Sequence, residues 1–303
     1  MKTVLIAGGS GLIGTRLSEI LVEKGYEVRW LSRKPESNSK FKTFLWNTDD
    51  KTIDMDAFKG VDTVINLSGA GIADKRWTKA RKKVLIESRT QSTQLLFETL
   101  TTKKNTVTTY ISASAIGFYG NRGDDIMTEN STPGTKGFLT ESTVAWENSI
   151  APFFKTNIRT IVIRVGVVLT KKGGALPELE FPFKFGVGAY FGRGKAWYSC
   201  IHIDDVCGIF IWALENENAR GVYNGVGPQP VTNYDLEKAI GAAKNKKFLY
   251  LPVPPLALRI AMGEMADVVL TSTRIIPEKA MNEGFKFSFP NLESSLKAIY
   301  HRS

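Results

Sequence analysis

The sequence predicts an α/β fold, a doubly wound parallel sheet followed by a smaller C-terminal α+β domain. Three observations point to it. The chain opens with a strand, a glycine turn, a helix and a second strand, together a βαβ unit of about 30 residues. Apolar runs of strand length then alternate with helix-period segments as far as Leu169. Beyond Leu169 the texture changes to glycine, proline and aromatics, "KKGGALPELEFPFKFGVGAYFGRGKAWYS".

Residues 2–7 run apolar into glycines and read as a buried strand. Ile13, Leu17, Ile20 and Leu21 share one face of the helix that follows, and Gly25 stands where its C-terminal stop belongs. "YEVRWLS" is the second strand, parallel to the first because a helix connects them. "VDTVINLSG" is a strand, 76–100 a long helix, "TTYISASA" a strand, 141–155 a helix and "RTIVIRVGVVL" a strand. "CIHIDDVCGIFIWALEN" returns to strand and helix, with Asp204 or Asp205 as its N-cap. From 227 onward, short helices and proline-rich turns are expected. The division is a Rossmann domain over 1–166 with about 200–226, and a smaller domain over 167–199 with 227–303.

At 303 residues the chain can bury a full core. Its net charge of +10 is spread along the sequence. One cluster, "DKRWTKARKK", reads as a solvated helix face, so no nucleic-acid partner is expected. The positive field does suit phosphorylated or acidic small molecules. "MKTVLIAGG" lacks the apolar core of a signal peptide, and "CGIFIWAL" is too short to span a bilayer. Cys200 and Cys207 are the only cysteines, and His202 with two aspartates reads as a structural strand end. The expectation is a cytoplasmic protein with no membrane partner and no metal site.

The glycines of "GGSGLIG" interrupt an apolar run at a cost in stability, and a phosphate explains what is gained. A helix starting directly after a strand aims free N–H groups and its positive dipole end at the sheet edge, which contributes about 0.3–1 kcal/mol to anion binding when exposed and about 2 when partly buried. Gly8 permits the tight turn, Gly11 lets a pyrophosphate approach the backbone, and Gly14 lets helix and strand pack closely. Ser10, Leu12 and Ile13 belong to the same cradle. The expected ligand is a dinucleotide. An acidic residue at the end of the second strand would select NAD, but here stand Ser32, Arg33 and Lys34. A cation at that place suits a 2′-phosphate, so the expected cofactor is NADP.

The ordered run "GGSGLIG", "NLSGAGIADKRWT", "ESRTQST", "SASAIGFYG", "VAWENS", "IRVGVVLTKKGGAL", "IHIDDV" and "GFKFSFPNLESSL" resembles the extended, epimerase-like short-chain dehydrogenases/reductases, and within them the NAD(P)-dependent epimerase family proteins. The resemblance implies a Rossmann domain with a small C-terminal substrate domain. It implies that Leu67, Ser68 and Gly69 line the adenine and ribose, and it sets Arg89 where extended relatives carry an asparagine. The superfamily's chemistry uses a tyrosine as acid/base, a lysine four residues later and a serine or threonine from an earlier strand. Ser114 matches the serine. Counting back from Glu147 places Leu139 at the tyrosine position and Thr143 at the lysine position, and neither can transfer a proton at neutral pH. Tyr119 is the residue expected to stand in. Two readings follow. One is an NADP-dependent oxidoreductase or epimerase/dehydratase acting on a small carbonyl compound or nucleotide sugar. The other is a non-catalytic NADP-binding regulatory protein, for example one linked to cell division.

Overall fold

The computed structural model describes residues 2–34 and 39–301. Its centre is an eight-stranded sheet of β1 (Thr3–Ala7), β2 (Glu27–Ser32), β3 (Lys42–Asn47), β4 (Thr52–Ile53), β5 (Thr63–Asn66), β6 (Thr109–Ala115), β7 (Arg159–Val165) and β8 (Gly221–Gly225). The spatial order is β8-β7-β6-β5-β1-β2-β3-β4, parallel throughout except for the β3–β4 edge pair. The predicted α/β class is what the chain adopts.

Four helices cover this sheet: α1 (Leu12–Glu23), α2 (Lys79–Thr102), α3 (Phe138–Ile150) and α4 (Ile203–Glu215). Strand order explains their placement. The step from β1 to β2 and the step from β5 to β6 run in opposite directions across the sheet. Right-handed crossovers therefore put α1 and α2 on opposite faces. α1 packs beside α4 and α2 beside α3. Between β1 and β5 the chain changes direction, and the C-terminal edge there is the crevice where ligands of such sheets bind.

The structure differs from the sequence expectation in three places, each with a local cause. The expected strand "RTIVIRVGVVL" breaks at Gly166, where a Cβ would lie 2.4 Å from the Ser199 carbonyl oxygen. Val167–Leu169 leaves the sheet and pairs with Cys200–His202. The helix expected over 141–155 begins at Phe138, and past Ile150 it tightens into a 3-10 turn over Ala151–Lys155, where Pro152 has no N–H to give. The N-cap of α4 is His202, not an aspartate: its Nδ1 accepts from the Asp204 N–H at 3.1 Å. Asp205 instead accepts from the N–H groups of Ser288 and Phe289, at 2.8 and 3.0 Å, and so ties the C-terminal segment to α4.

Beside the main core lies a second one, built from Leu169, Leu176, Leu179, Phe183, Leu236 and Leu296 among others. It draws on the chain after β7 and again after β8. No helix among the described residues is long and apolar enough to cross a membrane.

Candidate functional site

Ala7 pairs with Leu31 on one side and Asn66 on the other. Three turns therefore leave the sheet side by side: Gly8–Gly11, Ser32–Arg33 and Leu67–Gly69. Gly8 has φ +82°, and a Cβ there would stand 2.8 Å from the Leu67 carbonyl carbon. A Cβ on Gly14 would come within 2.4 Å of the Gly8 oxygen, so only glycine lets α1 begin this close to β1. No side chain caps α1 at Gly11, which leaves the first-turn N–H groups of Leu12 and Ile13 without a side-chain acceptor. Ser10 and Gly11 are exposed.

The Leu12 side chain reaches across to Gly173 and Gly174, so the second part of the chain closes over the same turn. Arg33 is exposed, and Ser32 accepts the Lys34 N–H at 3.3 Å. Opposite them, the Ser68 hydroxyl donates to Asn66 Oδ1 at 2.5 Å, while Asn66 Nδ2 donates to the Tyr110 hydroxyl at 3.1 Å. The cofactor residues expected from sequence thus converge on one sheet edge.

The expected catalytic pair does not converge in the same way. Ser114, at the end of β6, donates to Glu147 Oε1 at 2.6 Å. Glu147 is held by Arg164 through two parallel bonds, Nε to Oε1 and Nη2 to Oε2, each 2.8 Å. The third arm of Arg164, Nη1, donates to the Tyr119 hydroxyl at 2.8 Å, and that hydroxyl donates to Asn224 Oδ1 at 2.6 Å. The guanidinium carbon lies 3.4 Å from the centre of the Phe118 ring. Tyr119 is fully enclosed, and burial pushes its phenol up to about 12 against the opposing pull of Arg164. Ser114 and Tyr119 are therefore separated by Glu147 and Arg164 in one buried chain that ends at Asn224.

Sequence reasoning left out Glu147 and Arg164 as functional groups. A signal for Arg164 existed: it is a charge inside the apolar strand "RTIVIRV", and a buried charge needs a partner.

At the α3 positions expected for the dyad, Thr143 is buried and Leu139 partly so. The Thr143 hydroxyl donates to the Leu139 carbonyl at 2.7 Å, and a Cβ on Gly117 would stand 2.9 Å from that hydroxyl oxygen. Leu139 joins a cluster with Trp77, Leu85, Phe138, Ile72 and Met265. Facing this cluster from α2 is Arg89. Its Nη1 donates to Leu85 O at 2.7 Å and its Nη2 to Ala70 O at 2.9 Å, while its guanidinium carbon lies 5.2 Å from the centre of the Trp146 ring. Burial, aided by the nearby Arg81 charge, lowers Arg89 to about 10.

Comparison with known proteins places the chain in a family. Residues 4–165 match the model of the NAD dependent epimerase/dehydratase family, and 253–299 match a domain of unknown function, DUF1731. An epimerase family protein of Staphylococcus saprophyticus is 34% identical over 99% of this chain and 100% of its own length. The Bacillus subtilis epimerase family protein YfhF is 32% identical over 98% of this chain and 97% of its own. The crystal structure of human epimerase family protein SDR39U1 with NADPH superposes with a TM-score of 0.89 at 30% identity, covering 99% of this chain and 100% of that one. A UDP-glucuronic acid 4-epimerase from Bacillus cereus, solved with UDP-glucuronic acid and NAD, shares the fold at TM-score 0.78 and 18% identity, over 98% of each chain. This chain belongs to the NAD dependent epimerase/dehydratase family.

Proposed function

We propose that the chain binds NADP across the β1–β5 crevice and uses it in an oxidoreduction or epimerisation of a small carbonyl compound or nucleotide sugar. The observation that carries the cofactor half is the uncapped start of α1, pressed against β1 by glycines that admit no Cβ and flanked by Arg33. Gly8, Ser10, Gly11, Leu12, Ile13 and Gly14 would hold the pyrophosphate. Ser32 and Arg33 would hold the 2′-phosphate, and Leu67, Ser68 and Gly69 the adenosine. The human relative crystallised with NADPH supports this choice. When bound, the cofactor supplies hydride transfer. The chain's own contribution begins at Ser114, whose hydroxyl proton is held by Glu147 and whose oxygen lone pairs are thereby oriented toward a substrate. Tyr119 takes the role of a strut in this reading: it positions Arg164, and through it Glu147. The cytoplasmic location and the two-domain division belong to the same proposal.

A second reading, a non-catalytic NADP-binding regulator, is favoured by one observation. The α3 face that should carry the dyad is packed by Leu139, Thr143 and Gly117. The deciding experiment for the cofactor is calorimetric titration with NADPH and NADH. A preference of at least about tenfold for NADPH is expected, the yield of one charge-assisted contact, and Arg33→Asp should erase it. Equal affinities in the unmodified protein would overturn the NADP assignment.

A further inference from the structure

We propose that Arg89 and Arg81 form an oxyanion site at the loop of residues 69–74, which receives a carboxylate or phosphate of the second ligand. The inference rests on the cofactor reading above and names the chemistry of what binds beside it. Both arginines lie on α2, eight residues apart and so near the same face of the helix. Both reach into the same loop: Arg89 donates to Ala70 O, and Arg81 Nη2 donates to Gly71 O at 2.6 Å. Burial first, and the like charge of Arg81 second, disfavour the Arg89 cation.

Neutralisation is poor. Among the described residues Arg89 has no carboxylate partner, and Arg81 has only Asp74 at 3.6 Å, a side chain 66% exposed. A loop clamp alone would need hydrogen-bond donors and no charge; two partly buried like charges are costly unless something anionic joins them. The unpartnered groups here are donors. Arg81 Nε is buried with no acceptor among the described residues, and so is the indole Nε1 of Trp146, the ring beneath Arg89. Each guanidinium offers five N–H donors in a planar fork suited to a carboxylate or phosphate. The neighbouring wall of Trp77, Phe138, Ile72 and Leu139 is apolar. Together these features select a small ligand with one oxyanion and an apolar body.

The test is titration calorimetry with oxalate and with inorganic phosphate, on the protein alone and saturated with NADPH. At least one anion should bind with a dissociation constant below about 1 mM. Arg89→Gln and Arg81→Gln should each weaken it by about tenfold, the loss of one charge-assisted pair, while Arg89→Lys, which keeps the charge, should retain most of it. NADPH affinity should change much less than anion affinity in all three. The ratio of oxalate to phosphate affinity separates carboxylate from phosphate ligands. The proposal is overturned if neither anion binds, if Arg89→Gln and Arg81→Gln bind it as the unmodified protein does, or if anion and NADPH affinities fall in parallel. Oxalate bound through the arginines by a protein that ignores NADPH would remove the cofactor reading and leave the oxyanion site standing.

Discussion

Ser114 and Glu147, 33 residues apart in sequence, share a 2.6 Å hydrogen bond on an oxygen that also accepts from Arg164 Nε at 2.8 Å. A serine that donates to a fixed carboxylate cannot rotate to donate elsewhere without losing that bond. Its free lone pairs therefore point in a set direction. Glu147 and Arg164 are 14% and 5% exposed at their side chains, so this pair operates where an unpaired charge is expensive. What the helix α3 lacks in a tyrosine and lysine, it replaces with an anchor for β6 and β7.

That pair should dominate local stability. Glu147→Ala leaves Arg164 buried with only neutral partners, and breaking a buried pair costs about 3–5 kcal/mol. Chemical denaturation at neutral pH should show a loss of that order. A loss under about 1 kcal/mol, the size of an exposed ion pair, would mean that Arg164 finds another partner and the chain from Ser114 to Asn224 is not a unit.

Gly11 offers a cleaner probe of the cofactor turn than Gly8 or Gly14. Its φ is −74°, and a Cβ there meets only the Gly8 oxygen at 3.3 Å, so a side chain fits with small adjustment. Gly11→Asp should therefore leave the fold intact, as circular dichroism would report. The carboxylate would nonetheless stand at the start of α1 and repel phosphate. NADPH binding, followed by fluorescence, should vanish. Unchanged affinity would remove this turn from the cofactor site.

The β1–α1–β2 unit was legible because its signals are local: an apolar run, glycines and a helical period within one short stretch. The Leu67–Gly69 turn became legible only by resemblance. Glu147 was visible as a helix residue but not as the partner of Ser114 and Arg164, because the sheet order brings those three together. His202 caps α4 while Asp204 accepts from Arg16 and Asp205 from the N–H groups of Ser288 and Phe289, all more than 80 residues away, and no local preference encodes those contacts. The turn of Tyr119 toward Asn224 rather than toward the crevice has the same origin.

Glu237 predicts a pH dependence in the second core. It lies on the helix Asn233–Ala243 at 1% exposure, with both carboxyl oxygens buried and no partner among the described residues. Burial raises its pKa from 4.5 to about 8. Between those values the folded chain holds the proton while the unfolded chain releases it. Stability is thus undiminished below the lower value, falls as pH rises through the window, and levels off above it. Glu237→Gln keeps the shape without the titration, so its advantage should grow across the window to at most about 5 kcal/mol. Denaturation curves for both proteins from pH 4 to pH 9 would test this. A constant difference between them would show that Glu237 is solvated or paired.

Restoring the missing dyad tests the catalytic assignment. With Leu139 and Thr143 in the places of the acid/base and its lysine, the unmodified protein should reduce generic carbonyl compounds very slowly while binding NADPH, since losing a positioned general acid/base costs about 10²–10⁴ in rate. Leu139→Tyr with Thr143→Lys puts a phenol and an ammonium one helical turn apart on α3. The fit is imperfect. The Thr143 hydroxyl already lies where a Cβ on Gly117 would be 2.9 Å away, so a lysine must pass this turn and lose the bond to Leu139 O. A partial gain in rate with some loss of stability is therefore expected, from the pair and from neither change alone. Ser114→Ala in the same background should abolish the gain. The measurement is NADPH oxidation against a panel of carbonyl compounds. Fast turnover by the unmodified protein, undiminished in Ser114→Ala, would place the chemistry on residues other than Ser114 and overturn the role given to its bond with Glu147.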